Sequence, residues 1–270
     1  MTATRIRDRI AVTIEAGVAD IRLDRPDKMN ALDPAMFDAL IEAAALVAAT
    51  HGVRAAVLSG EGRAFCAGLD FGSFQSMQDG GERSLRDLVT RTHGIANRPQ
   101  YAAWCWRELP VPVICAVHGV AFGGGLQVAL GADMRFTTPD AQLSVMEIRW
   151  GLVPDVAGTQ LLRHLCREDV VRDLTYTGRI VTGEEAVALG LATRVEADPR
   201  AAALSAARDI AAKNPDAIRA AKRLLNAAVA VDAAEGLMRE SQEQQKLIGT
   251  PNQIEAVMAN MQKRAPVFRD

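Results

Sequence analysis

Val113-Ile114-Cys115-Ala116-Val117-His118-Gly119-Val120-Ala121-Phe122-Gly123-Gly124-Gly125-Leu126-Gln127 joins a continuous apolar run to a run of small residues. Val113–Val117 has the length and β-branched content of a buried strand. His118-Gly119 ends it, and Gly123-Gly124-Gly125 leads into a segment, Leu126–Gly131, that opens apolar and reads as a helix. Small residues let a ligand approach the main chain itself. A helix start points free N–H donors and a positive dipole end at one spot. The spacing therefore predicts a strand–turn–helix unit suited to holding an oxyanion. By itself the triple glycine is equally compatible with a tight turn. No Gly-Lys-Ser/Thr follows, as a phosphate-binding loop needs, and the glycine spacing does not fit a dinucleotide fingerprint.

A second strand ends the same way. Arg54–Ser59 stops at Gly60-Glu61-Gly62, and Ala64-Phe65-Cys66-Ala67-Gly68-Leu69-Asp70 follows. Further outward, Ile10–Glu15 and Val18–Asp24 read as a hairpin turning at Ala16-Gly17. Asp33-Pro34 supplies a cap and a first-turn proline for an amphipathic helix over 34–49. Met134–Thr137 and Gln142–Val145 are further short strands. After about residue 158 the chain turns helical: Thr182-Gly183-Glu184-Glu185 is a capping box closed by Gly190, and Asn214-Pro215 and Thr250-Pro251 start two more helices. The expected division is a β/α core with the site over 1–195 and a helical region over 196–270. Residues 72–100 stand apart as a long, partly helical excursion of the kind that carries function.

Composition narrows the classes. With 49% hydrophobic residues the chain can bury a large core, and 24% charged residues make an ordinary surface. A net charge of −2 with no basic block leaves no electrostatic footprint for nucleic acid. Cys66, Cys105, Cys115 and Cys166 show no metal-ligand spacing and read as reduced thiols, with no metal expected. No run approaches the roughly 18 apolar residues of a membrane span. Asp8 interrupts Arg5, Arg7 and Arg9, and strand-like sequence follows at once, so no transit peptide is expected and the cytoplasm is the expected location.

Glu147 lies in Leu143-Ser144-Val145-Met146-Glu147-Ile148-Arg149-Trp150-Gly151-Leu152-Val153-Pro154-Asp155-Val156-Ala157-Gly158-Thr159. Among apolar neighbours a carboxyl is desolvated and its pKa rises toward that of a useful base; read alone, without the neighbouring motifs, it is more simply a surface or capping acid. Taken with the other segments, and with Leu23-Asp24-Arg25-Pro26-Asp27-Lys28-Met29-Asn30-Ala31-Leu32, the chain resembles the crotonase (enoyl-CoA hydratase/isomerase) superfamily over nearly its whole length. The resemblance implies an α/β spiral of ββα units with a C-terminal helical trimerisation region, acting on a coenzyme A thioester with no separate cofactor. It places the Ala67 and Gly124 N–H groups in the oxyanion hole. Gly68, Leu69 and Asp70 would line the thioester, and Lys28 would flank the nucleotide end.

Hydratases of this family carry two glutamates. Here Glu147 matches the second, and Gln127 stands in place of the first. A glutamine can position water but cannot exchange a proton at neutral pH. Asp155 is similar to an acid of the dienoyl-CoA isomerases that works opposite the glutamate, although those enzymes also carry an acid where Gln127 stands; by its position it is equally an N-cap. The resemblance thus implies double-bond isomerisation of an enoyl- or dienoyl-CoA, with Glu147 and Asp155 exchanging protons and Gln127 lining the site. The alternatives are hydration of a 2-enoyl-CoA in fatty-acid β-oxidation, with Gln127 orienting water, and a non-catalytic acyl-CoA-binding protein. A hydrolase using Cys66, Ser144 or His118 lacks a nucleophile elbow. By the same resemblance Trp104, Trp106, Trp150 and Phe122 are expected to shape the acyl pocket or fill core, and residues 72–106 to decide acyl-chain length. Ile254, Val257, Met258 and Met261 form an apolar stripe that packs either on the chain's own core or on a neighbour in a homotrimer or hexamer.

Overall fold

A computed structural model describes residues 3–70, 72 and 87–270. Of the expected excursion over 72–100, residues 73–86 lie outside the described residues.

The N-terminal strands β1 (Thr4–Ile6), β2 (Ile10–Glu15) and β3 (Val18–Leu23) form an antiparallel meander. Ala16 and Gly17 make the β2–β3 turn at φ 48° and 79°. Two positive φ values give the turn a twist that matches the flanking strands. Helix α1 (Pro34–Ala49) starts where the sequence indicated, with the Asp33 carboxylate accepting from Met36 N–H at 2.8 Å. It returns the chain to β4 (Ala55–Gly60), parallel to β3. Helix α2 (Arg98–Glu108) leads to β5 (Val113–Val117), then come β6 (Val120–Phe122), α3 (Gly124–Leu130), β7 (Met134–Thr137) and β8 (Gln142–Ser144). Next are α4 (Gly158–Leu162), α5 (Glu168–Thr177), β9 (Val181–Thr182), α6 (Gly183–Leu189) and β10 (Arg194–Val195).

The main sheet runs β1-β2-β3-β4-β5-β7-β10 and is parallel from β3 onward; β6, β8 and β9 form a second, small sheet. β4 and β5 are buried along their whole length, as their uninterrupted apolar sequences require of strands covered on both faces. One face packs on α1 and α2 around the fully buried Trp106. The other is covered by α7 (Pro199–Ala211), whose Ala203, Ala207 and Ala211 meet Val57, Ile114 and Phe136. This is the α/β architecture that the sequence implied.

Beyond α7 the chain moves away from the sheet. Helix α8 (Pro215–Ala228) is anchored by Lys222, whose Nζ donates to Trp106 O (3.0 Å), Val111 O (2.9 Å) and Asp133 Oδ2 (2.8 Å). Helix α9 (Ala233–Leu247) buries no residue, and α10 (Pro251–Gln262) buries only Asn252 and Ala259. Ile254, Val257, Met258 and Met261 are 42–76% exposed. None of the four belongs to the buried core of the described residues. Among the described residues no helix is long and apolar enough to cross a membrane.

Candidate active site

The two small-residue segments meet side by side. Phe65 N–H donates to His118 O, Cys66 N–H to Val120 O and Phe122 N–H to Cys66 O, at 2.9–3.1 Å, so Ala64–Asp70 runs along β6. Two glycines are required by this contact. A Cβ at Gly68 (φ 91°) would fall 2.7 Å from Phe122 O, and one at Gly125 would fall 2.5 Å from Cys66 O. The same Gly68 Cβ position lies 3.9 Å from the Gly124 nitrogen, which puts the Gly68–Leu69 peptide against the start of α3.

One expected role changes here. Ala67 N–H donates to Met29 O at 2.9 Å, so it is not a free oxyanion donor. The free donor lies two residues on. Leu32 N–H donates to Gly68 O and Asp70 N–H to Leu32 O, which leaves the N–H of Leu69 turned away from Leu32. Leu69 N–H and Gly124 N–H, the latter at the first position of α3, have no acceptor among the described residues. The turn that occupies Ala67 is held by Asn30, buried at φ 55°. Asn30 Nδ2 donates to the carbonyls of Glu61, Ala64 and Phe65, and its Oδ1 accepts from Arg25 N–H. Asn30 tolerates the left-handed region better than most residues. That tolerance is the signal by which the sequence marks Asn30 for this role.

Asp70 does not line the cavity. It pairs with Arg25 at 2.5 Å and accepts from Gly72 N–H at 2.8 Å. Burial pushes its pKa up, but these hydrogen bonds outweigh burial and hold the carboxyl below its usual range. Lys28 is exposed at the end of a short 3-10 turn, Pro26–Lys28, next to the cavity-lining Met29.

The cavity has a volume of about 480 Å³ and is mainly apolar, with Leu32, Phe37, Phe122, Met146, Trp150 and Leu152 in its wall. Ala67, Gly68, Leu69 and Gly124 lie along one side, and Glu147 and Asp155 also face it. Trp106 is core, and Trp104 packs on the core with its Nε1–H donating to Glu108.

Glu147 opens a 3-10 turn, Glu147–Trp150, and is only 8% exposed. Burial raises its pKa, opposed by its own backbone N–H and by Gln127, while the nearby Asp155 raises it further. Burial also raises Asp155, even though part of its side chain meets solvent. Asp155 does not cap a helix: Ala157 occupies the N-cap of α4, with no side-chain cap bond. Gln127 is 1% exposed and sits behind Glu147 rather than in the cavity wall, which corrects its expected contact with substrate. Its Nε2 donates to Glu147 Oε1 at 2.5 Å.

The nucleophile candidates have structural roles. Burial pushes the Cys66 thiol up to about 12, Ser144 Oγ donates to Gly178 O at 2.9 Å, and His118 Nε2 lies 2.9 Å from Gly62 O. Among the described residues no cluster of three potential metal ligands occurs.

Comparison with known proteins agrees with this geometry. The sequence pattern of the enoyl-CoA hydratase/isomerase family matches residues 13–270. The chain is 33% identical to the bovine mitochondrial enoyl-CoA hydratase domain-containing protein 2 (93% of this chain, 84% of the relative). It is 31% identical to the mouse mitochondrial Delta(3,5)-Delta(2,4)-dienoyl-CoA isomerase (92% and 77%). The crystal structure of enoyl-CoA hydratase from Bacillus anthracis superposes with a TM-score of 0.88 at 30% identity (96% and 98%).

Proposed function

The chain belongs to the enoyl-CoA hydratase/isomerase family, and from that premise we propose that it shifts a double bond in an unsaturated acyl-CoA thioester. The thioester oxygen accepts from Leu69 N–H and Gly124 N–H, and the acyl chain lies in the apolar cavity. Glu147 removes a carbon-bound proton. The electron pair moves into the conjugated system, leaving negative charge on the thioester oxygen as a dienolate held by the two N–H groups. A proton then returns at the far end of the conjugated system, from Asp155 or from Glu147 itself, and the double bond is displaced with no net gain or loss of atoms. Both carboxyls are pushed toward the protonated form by burial, which suits groups that must give up a proton as well as take one.

The observation that carries this reading over hydration is the placement of Gln127. A hydratase needs a second group on the reacting face to manage water. Gln127 instead lies behind Glu147, with its oxygen already accepting from Val156 N–H and Gly158 N–H. A buried base in the wall of the same cavity as two free N–H donors argues against a purely binding protein. The test is to incubate the protein with a 3,5-dienoyl-CoA and, separately, a 2-enoyl-CoA, following each chromophore. Migration of the diene with slow hydration is expected; rapid hydration with no diene migration would overturn it. The exposed apolar stripe of α10 supports a trimeric working form.

A further inference from the structure

Val156, Ala157 and Gly158 make a small concave loop whose outer N–H groups converge on one atom. Both donate to Gln127 Oε1 at 2.8 Å. The convergence depends on Ala157, which adopts φ 61° and ψ 8°, a conformation unfavourable for a residue with a Cβ. N–H groups around a left-handed residue form a nest that holds a single oxygen. Gly158 belongs to the same fit, since a Cβ there would lie 2.5 Å from Gln127 Oε1.

An amide gripped by its oxygen cannot flip. Its nitrogen must face the other way, where it donates to Glu147 Oε1. The second carboxylate oxygen, Oε2, is buried and has no hydrogen-bond partner among the described residues, although Glu147 stands in the cavity wall. A buried carboxylate oxygen without a partner is costly unless a ligand meets it.

We propose that Gln127 is a positioning residue: held by the 156–158 nest, it fixes the orientation of Glu147 and leaves Oε2 as the atom that takes the substrate's proton. This rests on Glu147 being the base, and adds that a neutral donor at position 127 favours the ionised form of that base. The other groups around Glu147 do not do this. Asp155 opposes ionisation, Arg149 is exposed, and α3 carries no titratable side chain. On α5, which packs against the Glu147 turn, Arg172 pairs with Glu168, and Asp173 pairs with Arg179. With the turn's own N–H, the Gln127 amide is the group that favours the carboxylate.

The test reads Glu147 directly, in the full chain and without substrate, by carboxyl ¹³C NMR titration with the resonance assigned through E147Q. Removing the donor (Q127M) or displacing the amide while keeping it (G158A) should move the Glu147 inflection to higher pH. Q127E retains an oxygen for the nest and should give two coupled steps, the upper one above the wild-type inflection. In turnover, Q127M should lower kcat by roughly 10–100-fold near neutral pH, the loss expected for a hydrogen bond to a charged group, with KM nearly unchanged. Should the variants fold poorly, the wild type still decides: the Gln127 side-chain ¹⁵N signal should follow the Glu147 titration and lie flat in E147Q. An inactive E147Q enzyme with a Glu147 titration indifferent to residue 127, or a flat Gln127 signal in the wild type, would overturn this inference alone. An active E147Q enzyme would overturn the base assignment and this inference together.

Discussion

Helices α3 and α9 show opposite relations between sequence and surroundings. Every residue of α3, including Gln127 and two glycines, is buried, whereas α9 buries none and leaves Leu237 63% and Met238 58% exposed. Side-chain hydropathy alone would not give this contrast. The position of each helix in the chain order does. Helix α3 follows β6 directly and is enclosed by the Cys66 segment and the 156–158 loop, while α9 comes after both faces of the sheet are covered. The buried helix supplies donors that act in dry surroundings, where they are worth most. The apolar side chains of α9 and α10 remain exposed outside the chain's own core.

The comparison is broken most severely at the site. E147Q should lower kcat roughly 10²–10⁴-fold, the usual share of a general base, with the fold and CoA-ester binding intact; retention of most activity would remove Glu147 from the mechanism. Next is G125A, whose new Cβ meets Cys66 O and Sγ at 2.5 and 2.7 Å and must push α3 off its neighbour. Misaligning one oxyanion donor should cost roughly 10²–10³-fold in kcat, with about 1–3 kcal/mol of stability lost to overpacking in urea denaturation. On the helical side, K222M removes the cation from Asp133 and leaves two buried carbonyls unpartnered. It should destabilise the chain by on the order of 3 kcal/mol, read as a lower urea midpoint at constant m-value.

Two smaller effects sharpen the contrast. Because burial raises the folded pKa of Glu147, the folded chain binds more protons than the unfolded one between the two pKa values. Stability therefore falls as pH rises through that window, and kcat/KM, which needs the carboxylate, falls as pH drops through the raised pKa. Thermal melts should show E147Q more stable than wild type above the window, and an E147Q melt equal to or below wild type there would contradict the assignment. Finally, M261E should change the stability of the isolated chain by only about 0.5 kcal/mol, as expected of an exposed site. In sedimentation it should lower the assembled mass; an unchanged mass would detach the α10 stripe from assembly.

Local signals determined much of this protein. The Asp33-Pro34 start of α1, the Ala16-Gly17 hairpin, the buried strand Val113–Val117 and the glycine entry to α3 all follow from propensities that act within a few residues. What the tertiary structure alone decided was which polar groups are already partnered. Ala67 N–H is taken by Met29, a residue far back in the sequence, so the free donor is Leu69. Gln127 turns from the cavity to the 156–158 nest, and Asp155 stands beside the cavity rather than at a helix cap. A main-chain donor reads the same in sequence whether or not it is occupied, because its acceptor is chosen by segments that meet only when the chain has folded.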